Sequence, residues 1–216
     1  MKPIKPFIFI NISILFAIIT YILINQYNQA YTNTTNTTKN YIYKENFLKE
    51  ADFNKLLYEL KQYDERLAAS KENYNNVVRY NLIIDNNSPS SLNPIAIIIK
   101  KYQREIKNLT HNPTIYLANN FPIEYRKYVP GSFMKKHKDV LIYKIPQYEC
   151  VLTLSNTTDS VTKMGDTPIK ASPNSLLIVK ALGVEHEVTQ VTKGERKFIK
   201  FIFTETDERV ILQQSY

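Results

Sequence analysis

Two of the three histidines of this chain form, together with one aspartate, a candidate set of metal ligands. His137 and Asp139 are two positions apart, and His186 follows later in the chain. Two imidazoles and one carboxylate suit ferrous iron and leave other coordination positions open for a co-substrate and dioxygen. If residues 137 and 139 lie in a strand, their side chains share one face and can bind one ion. The sequence therefore predicts a metal centre at these three residues.

A candidate anion-binding arginine, Arg196, comes ten positions after His186. The intervening turn predicts a hairpin that returns the guanidinium to the neighbourhood of His186. A buried arginine in such a domain needs an anion, and its planar fork suits a carboxylate. The alternative is a solvated turn charge, because the sequence neighbours of Arg196 are also charged. Lys200 is a second candidate, since residues 196 and 200 share a strand face.

The second half of the chain has the pattern of a β domain. Short runs rich in β-branched and aromatic residues recur there, separated by Pro, Asn, Gly and Asp. The predicted strands are 114–118, 123–129, 140–145, 148–155, 175–181, 187–191, 197–204 and 210–213. Many short strands at this spacing predict a sandwich or barrel, not a parallel sheet with helical crossovers.

Two amphipathic helices are predicted before these strands. In 45–67, apolar residues recur at intervals of three and four, with Lys and Glu between them. A second helix is predicted over 95–109 after a run of turn residues, and Asn112-Pro113 ends it. The predicted fold class is therefore α+β: an N-terminal transmembrane helix, a helical cap over about 45–110, and a jelly-roll core (double-stranded β-helix) over about 114–213.

The transmembrane helix is predicted from the almost continuous apolar run 7–24. Eighteen residues at about 1.5 Å per residue give roughly 27 Å, close to the hydrocarbon thickness of a bilayer. Lys2 and Lys5 precede the run and the next charge is Lys39, which predicts a cytosolic N-terminus. A cleaved signal peptide is the main alternative, but 27–30 is a poor cleavage site. A buried core helix is disfavoured because the run has no polar face.

The domain prediction follows from this anchor. Residues 1–25 form the cytosolic N-terminus and anchor, 26–44 a polar stalk, and 45–216 the folded domain. Five sequons after the apolar run permit a lumenal domain without proving one; they begin at Asn33, Asn36, Asn86, Asn108 and Asn156. The predicted location is that of a single-pass type II membrane protein with a lumenal or exoplasmic domain, in a compartment such as the endoplasmic reticulum.

Composition adds little about chemistry. The single cysteine, Cys150, cannot form an internal disulfide and is predicted to be a buried structural thiol. The net charge of +8 could attract nucleic acid non-specifically. The lysines are spread along the chain, however, so a nucleic-acid partner is disfavoured. The sequence leaves the oligomeric state open.

Four segments resemble the iron(II)- and 2-oxoglutarate-dependent dioxygenases of the prolyl 4-hydroxylase type. Residues 128–139 resemble the motif RY-x-P-G-x-F-x-x-x-H-x-D, and 186–196 resemble the closing motif H … V-x-x-G-x-R/K. Residues 165–167 resemble the end of a GG-x-T turn, although Met164 stands where the first glycine is expected. Residues 45–53 resemble the opening FL-s-x-E-E-C helix.

The resemblance implies a role for each candidate residue. His137, Asp139 and His186 would bind Fe(II), Arg196 would pair with the distal carboxylate of the co-substrate 2-oxoglutarate, and Tyr128 would lie near it. The resemblance also makes ascorbate a candidate cofactor. The implied activity is hydroxylation of a peptidyl residue, with proline ahead of lysine, on a peptide or protein substrate. The alternative is a catalytically inactive jelly-roll interaction protein at the membrane, and the third reading is a nucleic-acid-modifying enzyme.

Overall fold

Antiparallel β-strands are the main secondary structure of the chain that the computed structural model describes, which is residues 40–72, 77–85, 93–144 and 146–210. The strands are β1 (Tyr41–Lys44), β2 (Ala68–Glu72), β3 (Val77–Ile84), β4 (Tyr116–Leu117), β5 (Ile123–Tyr128), β6 (Met134–His137), β7 (Gln147–Asn156), β8 (Thr162–Met164), β9 (Thr167–Ile169), β10 (Ser175–Lys180), β11 (His186–Val188) and β12 (Arg196–Thr204). The larger sheet has the order β1-β10-β7-β12-β5-β3-β2, with β4 beside β12. The smaller sheet has the order β6-β11-β8-β9. Two antiparallel sheets of this kind confirm the predicted jelly-roll core.

The two faces of the larger sheet bury different kinds of residue. On β7, Cys150, Leu152 and Leu154 belong to a large apolar core that also contains residues of three helices. Those helices are α1 (Glu50–Lys61), α2 (Pro94–Lys101) and α3 (Gln103–Thr110). The alternate residues of β7, Glu149 and Val151, line a cavity on the other face. Period-two alternation thus separates the structural core from the face that carries polar chemistry.

The first helix is shorter than the predicted range 45–67. It begins at Glu50 because the backbone before it is bonded elsewhere: Phe47 N donates to Asn174 O at 2.9 Å, and Leu48 N donates to Asn174 Oδ1 at 2.9 Å. Asn46 has a φ of 50°, outside the helical region. A tertiary contact with the β domain therefore outcompetes the helical pattern of the sequence.

The second predicted helix, 95–109, is two short helices. Asn93 caps α2 by accepting a hydrogen bond from Ile95 N at 3.0 Å, and Pro94 occupies the first turn. Tyr102 then interrupts the helix, with φ −96° and ψ 6°. Its hydroxyl donates to Asp52 Oδ2 at 2.6 Å and accepts from Lys49 N at 2.7 Å, which joins the break to the start of α1.

Several strand boundaries differ from the predictions. Residues 140–144 form no ladder strand, and only Tyr143 makes an isolated bridge, to Arg209. Strands β8 and β9 were not predicted, nor were β2 and β3, which lie within the predicted helical cap. Both β1 and β2 are edge strands, with an apolar pattern too weak to identify from sequence. Strand β1 also pairs with β10, so residues 41–44, predicted to belong to the stalk, are part of the larger sheet.

The predicted membrane anchor, 7–24, lies outside the described residues, as does 211–213 of the last predicted strand. Among the residues that are described, none belongs to a helix of the length and apolarity needed to cross a bilayer.

Gly194 provides a test of the turn that precedes β12. Its φ is +76°, and a Cβ atom there would lie 2.3 Å from the carbonyl oxygen of Thr157. We expect Gly194→Ala to destabilise the protein by more than the about 1–3 kcal/mol typical of backbone strain alone, because it adds a steric clash. Gly131→Ala is the matched control, since Gly131 has a φ of +91° with no atom near its missing Cβ. Urea unfolding should show the larger loss for Gly194→Ala; equal losses would contradict the clash.

Candidate metal centre

The smaller sheet brings the three predicted metal ligands together. In the pairing of β6 with β11, His186 lies directly opposite His137, and their ring centroids are 4.4 Å apart. Asp139 Oδ1 lies 3.6 Å from His137 Nε2, and Asp139 Oδ2 lies 3.6 Å from His186 Nε2. One ligand atom from each residue lies within 4.8 Å of the others. This grouping can hold a single ion.

Asp139 reaches this position differently from the expectation. Strand β6 ends at His137, so the two residues do not share a strand face. Asp139 lies at the start of the loop between β6 and β7, and its backbone carbonyl accepts a hydrogen bond from Leu182 N at 3.0 Å. The spacing of two residues indicated that His137 and Asp139 lie close together, but the position of the Asp139 carboxylate is set by the loop and not by a shared strand.

Backbone carbonyls orient both imidazole rings. His137 Nδ1 lies 2.9 Å from Lys135 O, and His186 Nδ1 lies 3.2 Å from Val184 O. A carbonyl oxygen can only accept a hydrogen bond, so in the neutral rings Nδ1 carries the proton. Each Nε2 therefore presents a lone pair toward Asp139, as a metal-ligating histidine requires.

The environment separates the pKa values of the three groups. Burial lowers the pKa of His137, but its interaction with Asp139 and the carbonyl of Lys135 outweigh burial, so the net shift is upward. The pKa of His186 is lowered, mainly by burial. Burial raises the pKa of Asp139, but His137, Lys200 and His186 more than offset this, so the pKa lies well below its usual value. Asp139 is thus ionised at neutral pH.

These shifts predict how metal binding depends on pH. We expect the affinity for Mn(II) to fall as the pH falls, because protons compete for the imidazole nitrogens. The raised pKa of His137 places the onset above histidine's ordinary value of about 6.5. The loss should be about tenfold per pH unit while one proton competes, and steeper once His186 protonates. Mn(II) titrations from pH 8 to 5, with folding followed by circular dichroism, test this; unchanged affinity down to about pH 4 would contradict it.

A cavity between the two sheets extends from the three ligand candidates to Arg196. Arg196 is 3% exposed. Its Nη1 donates to Thr162 Oγ1 at 3.0 Å and its Nη2 to Thr153 Oγ1 at 3.2 Å, while Nε has no hydrogen-bond partner. Among the described residues, no carboxylate forms an ion pair with this guanidinium. A buried cation without an acidic partner is the environment expected of an anion-binding site.

Arg196 arrives by a different route from the predicted hairpin. Strand β11 belongs to the smaller sheet, whereas Arg196 begins β12 in the larger sheet, between β5 and β7. The chain thus crosses from one sheet to the other between residues 188 and 196. The crossing places the histidines and the arginine on opposite walls of one cavity.

Lys200, the second candidate for anion binding, already has an acidic partner. It lies on the same cavity wall as Arg196 and forms an ion pair with Glu149, which is itself buried. Burial lowers the pKa of Lys200, but the carboxylate of Glu149 more than compensates, so the net shift is upward. The structure therefore favours Arg196 over Lys200 as the residue available for an added carboxylate.

Tyr128 lies beside Arg196. It pairs with Arg196 across β5 and β12, is almost fully buried, and packs edge-on against Phe198 at 5.2 Å between centroids. In the described part of the chain, its hydroxyl has one hydrogen-bond partner, the sulfur of Met134 at 4.0 Å, which is a weak acceptor. The hydroxyl can therefore bind a ligand placed near Arg196.

Sequence reasoning missed the threonines that hold Arg196. Thr153 lies on the cavity face of β7, where alternation could have identified it. Thr162 lies on β8, a three-residue strand without a recognisable signal. Cys150, in contrast, is buried as predicted, and burial raises the pKa of its thiol.

The sequence matches no protein-family model and no curated protein. Its structure is similar to a prolyl 4-hydroxylase from Pseudomonas putida, with 16% identity over 79% of this chain and 95% of that chain and a TM-score of 0.58. A prolyl hydroxylase from Trichoplax adhaerens, in complex with a hypoxia-inducible-factor peptide fragment, gives 13% identity over 89% and 96% of the two chains and a TM-score of 0.61. The viral collagen prolyl hydroxylase of Paramecium bursaria Chlorella virus-1, in its 2-oxoglutarate complex, gives 14% identity over 77% and 97% and a TM-score of 0.54.

These similarities define a class of fold. The chain has the fold of the 2-oxoglutarate–Fe(II) oxygenases. Within that class, its fold is of the prolyl 4-hydroxylase type, as the motifs of the sequence implied.

Proposed function

We propose that this protein is an Fe(II)- and 2-oxoglutarate-dependent dioxygenase. The observation that carries the proposal is the pairing of two features across one cavity: a His137–Asp139–His186 group with both Nε2 atoms turned toward the carboxylate, and a buried Arg196 with no acidic partner. Nitrogen and oxygen donors of this kind suit ferrous iron, and the guanidinium suits the distal carboxylate of a dicarboxylic co-substrate. The residues present therefore fit both groups.

Each residue has a distinct role in this proposal. His137, Asp139 and His186 hold the iron, while Arg196 binds the far end of 2-oxoglutarate and is held by Thr153 and Thr162. The chemistry that such a centre supplies is insertion of one oxygen atom of O₂ into a C–H bond, coupled to conversion of 2-oxoglutarate into succinate and CO₂. The protein contributes the ligands, the orientation of the co-substrate and an enclosed cavity that limits water.

We further propose that the hydroxylated group is a peptidyl residue, with proline preferred over lysine. Support comes from the motif resemblance and from the prolyl hydroxylases among the similar structures, one of which is in complex with a peptide fragment. Fold similarity alone does not determine substrate. The substrate is therefore a separate part of the proposal and needs its own measurement.

One experiment tests both parts. Full-length protein is incubated with Fe(II), 2-oxoglutarate, ascorbate and a set of proline- or lysine-containing peptides, and both succinate and a peptide mass gain of one oxygen are measured. The proposal expects both products in equal amounts, on proline peptides first. Succinate formation without peptide oxidation would support the oxygenase activity and contradict the proposal that the substrate is a peptide. Failure to bind iron after anaerobic reconstitution would overturn the enzyme and favour an inactive interaction protein.

We also propose that residues 7–24 anchor the protein as a single-pass type II membrane protein with the β domain on the lumenal side. The support is the uncharged apolar run and the lysines that precede it. The sequons provide the test, because only a lumenal domain acquires N-glycans. Asn108 is exposed, whereas the amide of Asn156 donates to Ala171 O at 2.8 Å. Asn108→Gln is expected to remove one N-glycan and Asn156→Gln to remove none. A protein without glycans that is fully digested by protease outside sealed microsomes would contradict the orientation.

A further inference from the structure

The loop that carries Asp139 lacks a sheet partner for much of its backbone. This Asp139 loop (residues 139–144) was predicted as part of a strand, yet it has only one isolated bridge. Buried backbone N–H groups need acceptors. Two are satisfied by a single side chain, because Gln147 Oε1 accepts from Ile142 N at 2.8 Å and from Tyr143 N at 3.1 Å.

The other end of the same amide is also bonded. Gln147 Nε2 donates to Val140 O at 3.2 Å and to Glu149 Oε1 at 3.4 Å. A glutamine amide can donate two hydrogen bonds and accept two, so Gln147 uses its whole capacity here. The side chain is held further by the ion pair of Glu149 with Lys200 and by burial, since Gln147 is 1% exposed. Three of its four bonds go to the backbone of the Asp139 loop.

The backbone of Gln147 connects the same loop to the segment that leads to His186. Gln147 O accepts from Ala181 N at 2.9 Å, and the next residue, Leu182, donates its N–H to Asp139 O at 3.0 Å. The turn continues at Gly183, where a Cβ would lie 2.6 Å from Lys180 O. Gln147 thus contacts both segments that bring Asp139 and His186 to the metal centre.

We propose that Gln147 is a positioning residue that fixes the Asp139 carboxylate relative to the two histidines and thereby sets the affinity of the site for a divalent metal ion. The inference rests on the proposed function, because it assumes that the three residues bind a metal. Its physical basis is that groups which orient metal ligands commonly contribute 10- to 100-fold in affinity or activity. Gln147 does so through the loop backbone, without contacting the ion itself.

The test compares Mn(II) affinity in full-length wild-type protein and in Gln147→Met, which keeps the length of the side chain and removes all four hydrogen bonds. Affinity is measured by electron paramagnetic resonance of free Mn(II), which requires no turnover. We expect Gln147→Met to bind Mn(II) about 10- to 100-fold more weakly. In the metal-free protein, hydrogen exchange at the amides of Ile142 and Tyr143 should become faster.

Two further variants separate positioning from general stability. Ser175→Ala is the matched control, because the buried Ser175 hydroxyl donates to a backbone carbonyl, Ser172 O at 2.6 Å, outside the Asp139 loop. It should leave Mn(II) affinity unchanged even where it lowers the free energy of unfolding. Gln147→Asn keeps an uncharged amide and shortens the side chain by one methylene group, so it cannot make all four hydrogen bonds. It should also weaken Mn(II) binding, which keeps the test open if Gln147→Met does not fold.

The outcomes are distinguishable. Wild-type protein that binds no Mn(II) would overturn the proposed function together with this inference. Wild-type binding with equal affinity in the folded Gln147 variants would overturn the inference alone. Equal losses of affinity in the Gln147 variants and in Ser175→Ala would also overturn it, because the effect would then follow stability and not the Asp139 loop.

Discussion

Asp139→Ala is expected to reduce Mn(II) affinity by more than about 100-fold and to abolish succinate formation. The carboxylate is the shared partner of both imidazoles, with one oxygen 3.6 Å from each Nε2 atom. Loss of groups that merely orient ligands already costs 10- to 100-fold, so loss of the only charged ligand should cost more. Titration with Mn(II) and a coupled succinate assay measure the two effects.

Two controls make this result specific. Asp166→Ala removes an exposed carboxylate in the turn between β8 and β9 and should change neither measurement. Asp139→Asn keeps the shape of the side chain and removes its charge, so it should resemble Asp139→Ala in affinity. Tight Mn(II) binding by folded Asp139→Ala would show that the ion binds elsewhere and would contradict the assigned centre.

Arg196→Met is expected to weaken 2-oxoglutarate binding by roughly 30- to 4000-fold, measured by calorimetry on the Mn(II)-loaded protein. The range corresponds to the about 2–5 kcal/mol lost when one partner of a buried charge pair is removed. The variant should still fold, since Arg196 is buried without an acidic partner and methionine removes an uncompensated cation. Arg196→Lys should recover only part of the affinity, because an ammonium lacks the planar fork of the guanidinium.

Variants of Lys200 test the alternative that the sequence left open, in which Lys200 and not Arg196 binds 2-oxoglutarate. Lys200→Met leaves Glu149 buried without its cation, so it should lower the free energy of unfolding by about 3–5 kcal/mol. In the double variant Lys200→Met/Glu149→Gln, both charges are removed and 2-oxoglutarate affinity should stay close to that of the wild type. Loss of affinity in this double variant, with normal affinity in Arg196→Met, would transfer the co-substrate role to Lys200.

The strongest sequence predictions were those that depend on periodicity and residue chemistry. Strand β12 was predicted within one residue, because aromatic and β-branched residues alternate there without interruption. The same alternation placed Arg196 and Lys200 on one face, and both line the cavity. The sequence identified His137, Asp139 and His186 as candidate ligands because two histidines and one carboxylate in this arrangement suggest a shared ion.

The weakest predictions were those in which residues outside the predicted element compete with its local pattern. The first predicted helix loses its first residues because Phe47 N and Leu48 N donate hydrogen bonds to Asn174, more than a hundred positions later. Residues 140–144 of the predicted strand form a loop because Gln147 provides the partners that a ladder would have provided. Neither competitor has a local signal, since the presence of one asparagine or glutamine does not indicate which backbone groups its side chain will bind.

By itself, the sequence determined which residue types are available for chemistry and which segments alternate, and therefore the jelly-roll class of the domain. Only the tertiary structure decided which cation remains without an acidic partner, since Arg196 and Lys200 are equivalent in the strand pattern and differ through Glu149 on the neighbouring strand. It also decided how Asp139 reaches the two histidines. The physical reason is the same in both cases. A buried charge, or a loop whose backbone has no sheet partner, is stabilised by groups from other elements, and the identity of those groups depends on strand order and register.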